Sequence, residues 1–372
     1  MTPTLVQRHH PDSAAGHPRP DPRLPAPPSD PVRPDPAGPR SRARAVDWAE
    51  IQERMLVPLY EAVYARLDIG AGTRLLGLGC GSGLALLMAA ARGATVCGTD
   101  ADPHRLALAR ERLARAGRTP VAYGTGGVHS AGGAHRTRAR GDGAHTAGVR
   151  LIPGGPGRCA EQDPAAPPFT LVTAFDLAVT ASHGAGEGRK EEPGTAAEAA
   201  SGEDEPTRDT ASMLRQAAAL AERGSAIVLA GWGPPERCAT ASVLRVAARL
   251  ADRPPLGSPG GTEGAGPPTG GRLSMGVPPM PEGLWGRDDL ELIARRAGLR
   301  PDGSGRVACP FGYADVGSAV RGLLSTGVFD TAERATDGTQ VRKEITEALH
   351  PYRRPDGTVW MPNVFRYVIA RT

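Results

Sequence analysis

A glycine-rich turn between a short apolar strand and an apolar helix constrains this chain more than any other feature. Residues 74–83 read Arg-Leu-Leu-Gly-Leu-Gly-Cys-Gly-Ser-Gly, and residues 84–92 are rich in Ala and Leu. Glycine tolerates positive φ and has no Cβ, so such a turn lets a ligand lie against bare backbone. The first N–H groups of the following helix lack partners within it and point to the same place. The pattern predicts the first half of a βαβ unit with a ligand at its turn.

A second strand, predicted over residues 94–99, ends at Asp100. An acid about 20 positions after the first glycine is placed to accept hydrogen bonds from ribose hydroxyls, which predicts a ligand that contains a nucleoside. The dinucleotide fingerprint Gly-x-Gly-x-x-Gly does not fit, because its last glycine falls on Leu84 or, counted from Gly77, on Ser82. No Gly-Lys-Ser/Thr follows, which excludes a phosphate-binding P-loop.

The spacing Gly79-x-Gly81-x-Gly83 after a strand resembles the first motif of class I S-adenosylmethionine-dependent methyltransferases. Four further segments resemble a group of bacterial small-molecule methyltransferases: Trp-Ala-Glu-Ile-Gln-Glu at 48–53, Trp-Gly-Pro-Pro at 232–235, Arg-Pro-Asp-Gly at 354–357 and Asn-Val-Phe-Arg-Tyr at 363–367. The resemblance covers residues 46–372 discontinuously. It implies an α/β, Rossmann-like doubly wound sheet of seven strands with an antiparallel last strand, a helical cap and disordered insertions.

The resemblance also implies S-adenosyl-L-methionine as the cofactor and a set of residues that bind it. These residues are Gly77, Gly79, Cys80, Gly81, Gly83, Asp100, Ala101 and Ala174. Two positions depart from the family's pattern. Gly77 stands where the family usually has an acid that orients the methionine end of the cofactor, and Gly154-Gly155 stand where an acid or amide often lies near the adenine.

No catalytic residue is specified by spacing. Asp176, His183 and Glu236 are candidate general bases near the predicted crevice, with a structural cap favoured for Asp176. Helices before the first strand lie across the cofactor pocket in the family, so Trp48 and Tyr60 are candidate substrate contacts, although core packing is favoured for both. Trp232 follows the fifth strand and is expected to face the substrate.

Composition limits the class of protein. The 44 basic and 40 acidic residues give a formal net charge of +4, and this near-balance argues against nucleic acid as a partner. The five cysteines are far apart and form no Cys-x-x-Cys, which favours reduced thiols in a cytoplasmic protein and no metal site. No apolar run reaches membrane-spanning length, so no membrane partner is expected.

The domain organisation follows from where glycine and proline concentrate. Residues 1–44 form a proline-rich segment predicted to be disordered, and residues 45–372 form the predicted methyltransferase domain. Low-complexity insertions are predicted at 117–148, 184–209 and 253–283. Helices are predicted over 103–116, 211–223, 236–250 and 331–349, and strands over 149–152, with 121–123 as its rival, and over 306–310. Arg105, Arg110, Arg112 and Arg115 are expected on a solvated helix face.

The leading functional hypothesis is methyl transfer to a small-molecule acceptor. The first alternative is a catalytically degenerate binding or partner module, because Gly77 and Gly154-Gly155 replace polar cofactor contacts. The second is a nicotinamide-dependent oxidoreductase, which the missing third glycine of the fingerprint and the lack of Tyr-x-x-x-Lys disfavour. The acceptor atom, the substrate and the oligomeric state are not determined by these patterns.

Overall fold

A mixed sheet of eight strands forms the centre of the fold. The computed structural model describes residues 38–116, 120–121, 149–175, 205–251 and 288–372, and Pro39–Thr372 form one structural unit. The strands in these ranges are β1 (Arg74–Leu78), β2 (Thr95–Asp100), β3 (Pro120–Val121), β4 (Val149–Pro153), β5 (Phe169–Ala174), β6 (Ala221–Trp232), β7 (Arg300–Ala308), β8 (Phe311–Tyr313), β9 (Val359–Met361) and β10 (Val364–Arg371). The large sheet has the order β3-β4-β2-β1-β5-β6-β10-β7, and β8 pairs with β9 separately.

The strand directions confirm the predicted architecture. All pairs from β3 to β6 are parallel, whereas β10 is antiparallel to both β6 and β7. Apart from the two-residue edge strand β3, the sheet has the predicted seven strands and the predicted antiparallel last strand. Both stretches considered for the third strand contribute, because 149–152 lies in β4 and Val121 in the neighbouring β3.

Helices cover both faces of this sheet. They are α1 (Gly38–Asp47), α2 (Val57–Arg66), α3 (Leu84–Ala91), α4 (Pro103–Arg115), α5 (Gly157–Gln162), α6 (Glu205–Ala219), α7 (Thr240–Ala251), α8 (Asp289–Arg296), α9 (Val316–Leu324), α10 (Asp330–Ala335) and α11 (Gly338–Ala348). Alternate residues of a strand face opposite sides, so Leu75 packs with α2, α3 and α4 while Leu76 packs with α6 and α8. A π-helical turn, Trp48–Gln52, and a 3₁₀ turn, Glu53–Leu56, join α1 to α2.

The described structure begins before the predicted end of the N-terminal tail, so the boundary at residue 44 is wrong. Residues 38–44 lie in α1, where Arg44 donates to Asp330 at 2.6 Å and pairs with Glu333 on α10, and Ala45 is buried. An arginine-rich stretch looks solvated in the sequence, but here its charge finds carboxylates almost 300 positions away. Residues 1–37 lie outside the described residues.

The predicted insertions are shorter than expected at two places. The strand β3 falls inside 117–148, and α6 begins at Glu205, inside 184–209. The rest of these segments, and all of 253–283, lie outside the described residues. The helix predicted over 211–223 ends at Ala219, because Ala221 already pairs with Phe169 in the sheet.

Several boundaries in the C-terminal half also differ from the prediction. The strand predicted over 306–310 starts at Arg300, because β7 is an edge strand, where Pro301 is tolerated. The helix predicted over 236–250 starts at Thr240 after a 3₁₀ turn, and the one predicted over 331–349 is divided into α10 and α11.

The contacts of α1 predict which truncation the domain tolerates. Removal of residues 1–37 is expected to change the free energy of unfolding by less than about 0.5 kcal/mol, whereas removal of residues 1–47 is expected to lower it by about 1–3 kcal/mol. The larger deletion removes the Arg44 ion pairs and the buried Ala45. Chemical denaturation of the three proteins measures the difference, and equal midpoints and slopes for both deletions would contradict it.

Candidate functional site

The glycine turn between β1 and α3 has the backbone conformation that its glycines allow. Gly79, Gly81 and Gly83 have φ angles of +58°, +56° and +79°, a region that residues with a Cβ rarely adopt. The amide of Cys80 donates to the carbonyl of Thr99 at 2.9 Å, which ties the turn to the end of β2. Gly83 also lets α4 approach, because a Cβ there would lie 2.9 Å from Cβ of Ala109.

Asp100 faces the turn, as the sequence predicts. Its Oδ2 accepts a hydrogen bond from Gly81 N at 2.8 Å, and its Oδ1 accepts one from Asp102 N at 2.8 Å. The residue is 8% exposed. A carboxylate offers about four lone-pair sites, so two acceptor positions remain after these bonds. The structure confirms the position of Asp100, and its contact with ribose hydroxyls stays a prediction.

A pocket lies beside the turn. It is lined by the turn, by the N-terminal segment before β1 and by the end of β5: Trp48, Glu53, Tyr60, Gly77, Leu78, Gly79, Cys80, Gly81, Ala85, Leu86, Thr173 and Phe175. Tyr60 and Phe175 pack together with ring centroids 4.8 Å apart. The pocket is therefore bordered by both candidate substrate contacts that precede β1, Trp48 and Tyr60.

The structure brings together only part of the predicted cofactor-binding set. Gly77, Gly79, Cys80 and Gly81 line the pocket, whereas Gly83, Asp100, Ala101 and Ala174 do not. Ala101 is exposed, and Ala174 is 1% exposed because strand alternation directs it into the apolar cluster on the other face. Its neighbours Thr173 and Phe175 border the pocket instead. The roles assigned to these residues stay predictions.

Gly77, where the family usually has an acid, is closely packed. A Cβ at this position would lie 2.9 Å from Cδ2 of Leu86, whose side chain is 1% exposed. An acid at residue 77 therefore requires Leu86 to move. At the second position that departs from the family's pattern, Gly154 has a φ of +95° and its amide donates to the carbonyl of Asp100 at 2.8 Å. This glycine joins the turn after β4 to the end of β2.

Glu53 is the site residue that sequence reasoning missed. It is 2% exposed and lies beside the start of α3, where it accepts hydrogen bonds from the Ser82 hydroxyl, from Leu84 N at 3.3 Å and from Arg112 at 2.6 Å. A carboxylate at a helix N-terminus is stabilised by the unpaired N–H groups and the helix dipole. Through Glu53, the segment before β1 is fixed to the glycine turn.

Trp48 lies next to Glu53 and is 4% exposed. The guanidinium carbon of Arg105 is 4.4 Å from the indole centroid, and Arg105 also donates to the carbonyl of Ser325 at 2.8 Å. The prediction of a solvated face was thus wrong for Arg105 and Arg112, which hold the segment before β1 from α4. Their spacing of seven residues, which places both on one side of a helix, was the signal available in the sequence.

A second cavity lies next to the first and is mostly apolar. Its lining residues are Trp48, Gln52, Leu56, Phe175, Trp232, Leu244, Phe311, Leu323, Thr326, Val328 and Phe365. Trp232 packs against Phe365 and Phe311 with ring centroids 4.6 and 5.4 Å apart. The two cavities share Trp48 and Phe175, so they are adjacent.

The candidate general bases are not brought to these cavities within the described ranges. Glu236 is exposed on the 3₁₀ turn after β6 and lines neither cavity. Asp176 and His183 lie outside the described residues. Burial raises the pKa of the Cys80 thiol well above its ordinary value, so this pocket residue is neutral at physiological pH. In the part of the chain that the structure describes, no helix is long and apolar enough to cross a membrane.

Comparison with known proteins supports the resemblance inferred from the glycine turn. The family model described as a methyltransferase domain matches residues 76–131. Two curated relatives, uncharacterized proteins of Mycobacterium tuberculosis and Mycobacterium bovis, are each 40% identical over 73 residues, which are 20% of this chain and 27% of the relative. The chain thus spans little more than a quarter of the length of the curated relatives it matches.

Several solved structures resemble this chain. The E. coli protein YjhP has 15% identity and a TM-score of 0.43, with 90% of this chain and 100% of that chain covered. An S-adenosylmethionine-dependent methyltransferase of Thiobacillus denitrificans in complex with S-adenosyl-L-homocysteine has 14% identity and a TM-score of 0.40, with 84% and 90% covered. The family model thus matches the segment around the turn. The fold is established by the strand order described above.

The contacts of Gly81 predict that alanine is poorly tolerated there. A Cβ at this residue would lie 2.8 Å from Nε1 of Trp48, and φ is +56°. Gly81→Ala is expected to lower the free energy of unfolding by about 2–4 kcal/mol through left-handed strain and overpacking. Gly72→Ala is the control, because a Cβ on Gly72 meets nothing within 4 Å. Urea denaturation of both variants measures the difference, and equal losses would contradict this account of the turn.

Proposed function

We propose that this chain, which has the class I S-adenosylmethionine-dependent methyltransferase fold and carries the methyltransferase-domain segment, transfers a methyl group from S-adenosylmethionine to a small-molecule acceptor. The observation that carries the proposal is the bare glycine turn held by Asp100, with a pocket on its open side. The unpaired thiols of all five cysteines support the further proposal of a cytoplasmic location.

The residues at the turn fit an adenosyl amino acid. Gly77, Gly79 and Gly81 line the pocket, and Glu53 places a carboxylate there. Asp100 does not line the pocket but keeps acceptor positions beside the turn. The Nε1 of Trp48 is buried and has no hydrogen-bond partner within the described ranges, so a donor is available. Asp100 is the expected partner of the ribose, and Trp48 and Glu53 lie where the other end of the cofactor is expected.

The bound cofactor supplies an already activated methyl group, so the task of the protein is to orient the acceptor and exclude water. The two adjoining cavities suit this task, because Trp48 and Phe175 belong to the walls of both. Holding two reactants in a productive orientation contributes roughly 7–11 kcal/mol to lowering a barrier. The buried aromatic walls of the second cavity keep solvent away from an acceptor placed there.

The acceptor we propose is apolar and uncharged. The residues that line the second cavity include five aromatic rings and no ionisable group among the described residues, and its polar members are Gln52 and Thr326. The side-chain oxygen of Gln52 accepts from Tyr313 at 3.0 Å, and the hydroxyl of Thr326 donates to the carbonyl of Leu323. A charged acceptor would lose its hydration there without gaining a partner, which is costly.

Binding measurements test the proposed cofactor. By isothermal titration calorimetry we expect micromolar binding of S-adenosylhomocysteine and no binding of NADH. Asp100→Asn is expected to weaken binding at least about tenfold, because an amide replaces one carboxylate acceptor and places an N–H against a backbone N–H. Asp102→Asn is the control, because Asp102 caps α4 and asparagine caps helices equally well. Absence of S-adenosylhomocysteine binding at millimolar concentration would refute the proposal.

A pair of fluorescent probes tests the proposed acceptor class. The neutral N-phenyl-1-naphthylamine is expected to bind at least about tenfold more tightly than the anionic 8-anilinonaphthalene-1-sulfonate, because burial of an unpaired sulfonate is unfavourable. Val328→Arg, at the wall of the second cavity, should remove most of the neutral probe's signal. Leu292→Arg, at an exposed apolar residue on α8, is the matched control. Equal affinities for the two probes would contradict an uncharged acceptor.

A further inference from the structure

A hydrogen-bond donor and an acceptor lie near each other beside the glycine turn. A Cβ built on Gly81 would lie 2.8 Å from Nε1 of Trp48 and 3.2 Å from Oε1 of Glu53, so these two atoms are no more than about 6 Å apart. Both residues line the pocket at the turn. A ligand group that enters this part of the pocket is therefore within reach of an N–H group and a carboxylate oxygen together.

The indole N–H of Trp48 is without a partner within the described ranges, although the residue is 4% exposed. Buried donors in folded proteins are almost always hydrogen-bonded, so an unpaired one requires an explanation. The ring is held in place by Arg105, whose guanidinium lies 4.4 Å from its centroid. The N–H group is therefore fixed in direction and available to an acceptor in the pocket.

The two oxygens of Glu53 have different surroundings. Oε2 accepts from the Ser82 hydroxyl and from Arg112 at 2.6 Å, whereas within the described residues Oε1 accepts only the long bond of 3.3 Å from Leu84 N. Oε1 is also the oxygen nearest to Gly81. The better-satisfied oxygen thus anchors the side chain, and the other faces the pocket with acceptor capacity left.

Glu53 is the only carboxylate among the described residues that line this pocket, which Gly77 also lines. An acid at residue 77 requires the Leu86 side chain to shift, because a Cβ there would lie 2.9 Å from Cδ2 of Leu86. The carboxylate of the pocket, which is paired with Arg112, therefore comes from the segment before β1 and not from β1.

We propose that Trp48 and Glu53 bind the zwitterionic α-amino-acid end of S-adenosylmethionine, the indole N–H donating to its carboxylate and Glu53 Oε1 accepting from its ammonium. A donor and an acceptor no more than about 6 Å apart in one pocket match the two charges that an amino acid carries on one carbon. The inference rests on the proposed function and names the group that takes the place of the acid absent at residue 77.

The test compares two ligands that differ in this end. S-Adenosylhomocysteine carries the amino acid, and 5′-methylthioadenosine has the adenosine and the sulfur without it. In calorimetry the wild-type protein is expected to bind the first at least about tenfold more tightly. Glu53→Gln and Trp48→Phe are each expected to weaken S-adenosylhomocysteine binding about 10- to 100-fold and to change 5′-methylthioadenosine binding less than about threefold.

Two controls separate ligand contacts from structural effects. Glu50→Gln changes an exposed acid of the same segment, which pairs with Arg54, and should leave both affinities unchanged. Arg112→Gln removes the partner of Glu53 in their ion pair. It should therefore lower the melting temperature and keep the preference for S-adenosylhomocysteine over 5′-methylthioadenosine. A variant that acts only through folding would weaken both ligands alike.

The outcomes distinguish this inference from the proposed function. If the wild-type protein binds neither ligand, the proposed function fails. If it binds both equally, or if Glu53→Gln and Trp48→Phe weaken both ligands alike, the function stands and the assignment of Trp48 and Glu53 is overturned. Because the wild-type comparison needs no substitution, the inference stays testable even where one variant does not fold.

Discussion

The hydrogen bond between the amide of Gly81 and the carboxylate of Asp100 is the constraint on which the site depends. It joins the turn after β1 to the end of β2, and the bond from Cys80 N to Thr99 O lies beside it. The carboxylate is almost fully buried and its bond is charge-assisted, so it is stronger than an ordinary amide bond. The carboxyl ends of the two strands thus fix the glycine turn beside the pocket.

The segment before β1 is as much part of the site as the turn. Arg105 and Arg112 project from one side of α4, where Arg105 lies over Trp48 and Arg112 pairs with Glu53. Glu53 in turn accepts a hydrogen bond from the first amide of α3. The helices α3 and α4 therefore both hold the irregular segment before β1 in place. This arrangement places Trp48 between the pocket at the turn and the aromatic cavity beyond it, which suits the proposed reaction between two bound molecules.

What the sequence predicted well was local. The strand, turn and helix around Gly81 leave patterns in neighbouring residues, and all are present. The antiparallel last strand followed from the family resemblance alone, and it is present as well. The contacts of Glu53 with Ser82 and Arg112 join residues 29 and 59 positions apart, and no periodicity records such pairs. The short strands β8 and β9 were not predicted, and the start of the edge strand β7 was misplaced. The reason is related, since pairing with neighbouring strands overrides weak local preference.

The glycine at residue 77 shows that a motif is better interpreted by the chemical role of its residues than by their exact identity. The family's acid at this position contributes negative charge near the cofactor's amino-acid end. Here even a Cβ would require the Leu86 side chain to shift, and Glu53 contributes the carboxylate of the same pocket from another part of the chain. A degenerate site would have lost the charge along with the residue. Under the proposal above, Glu53, which is held by Ser82 and Arg112, takes the place of that acid, and the departure at Gly77 is compatible with cofactor binding.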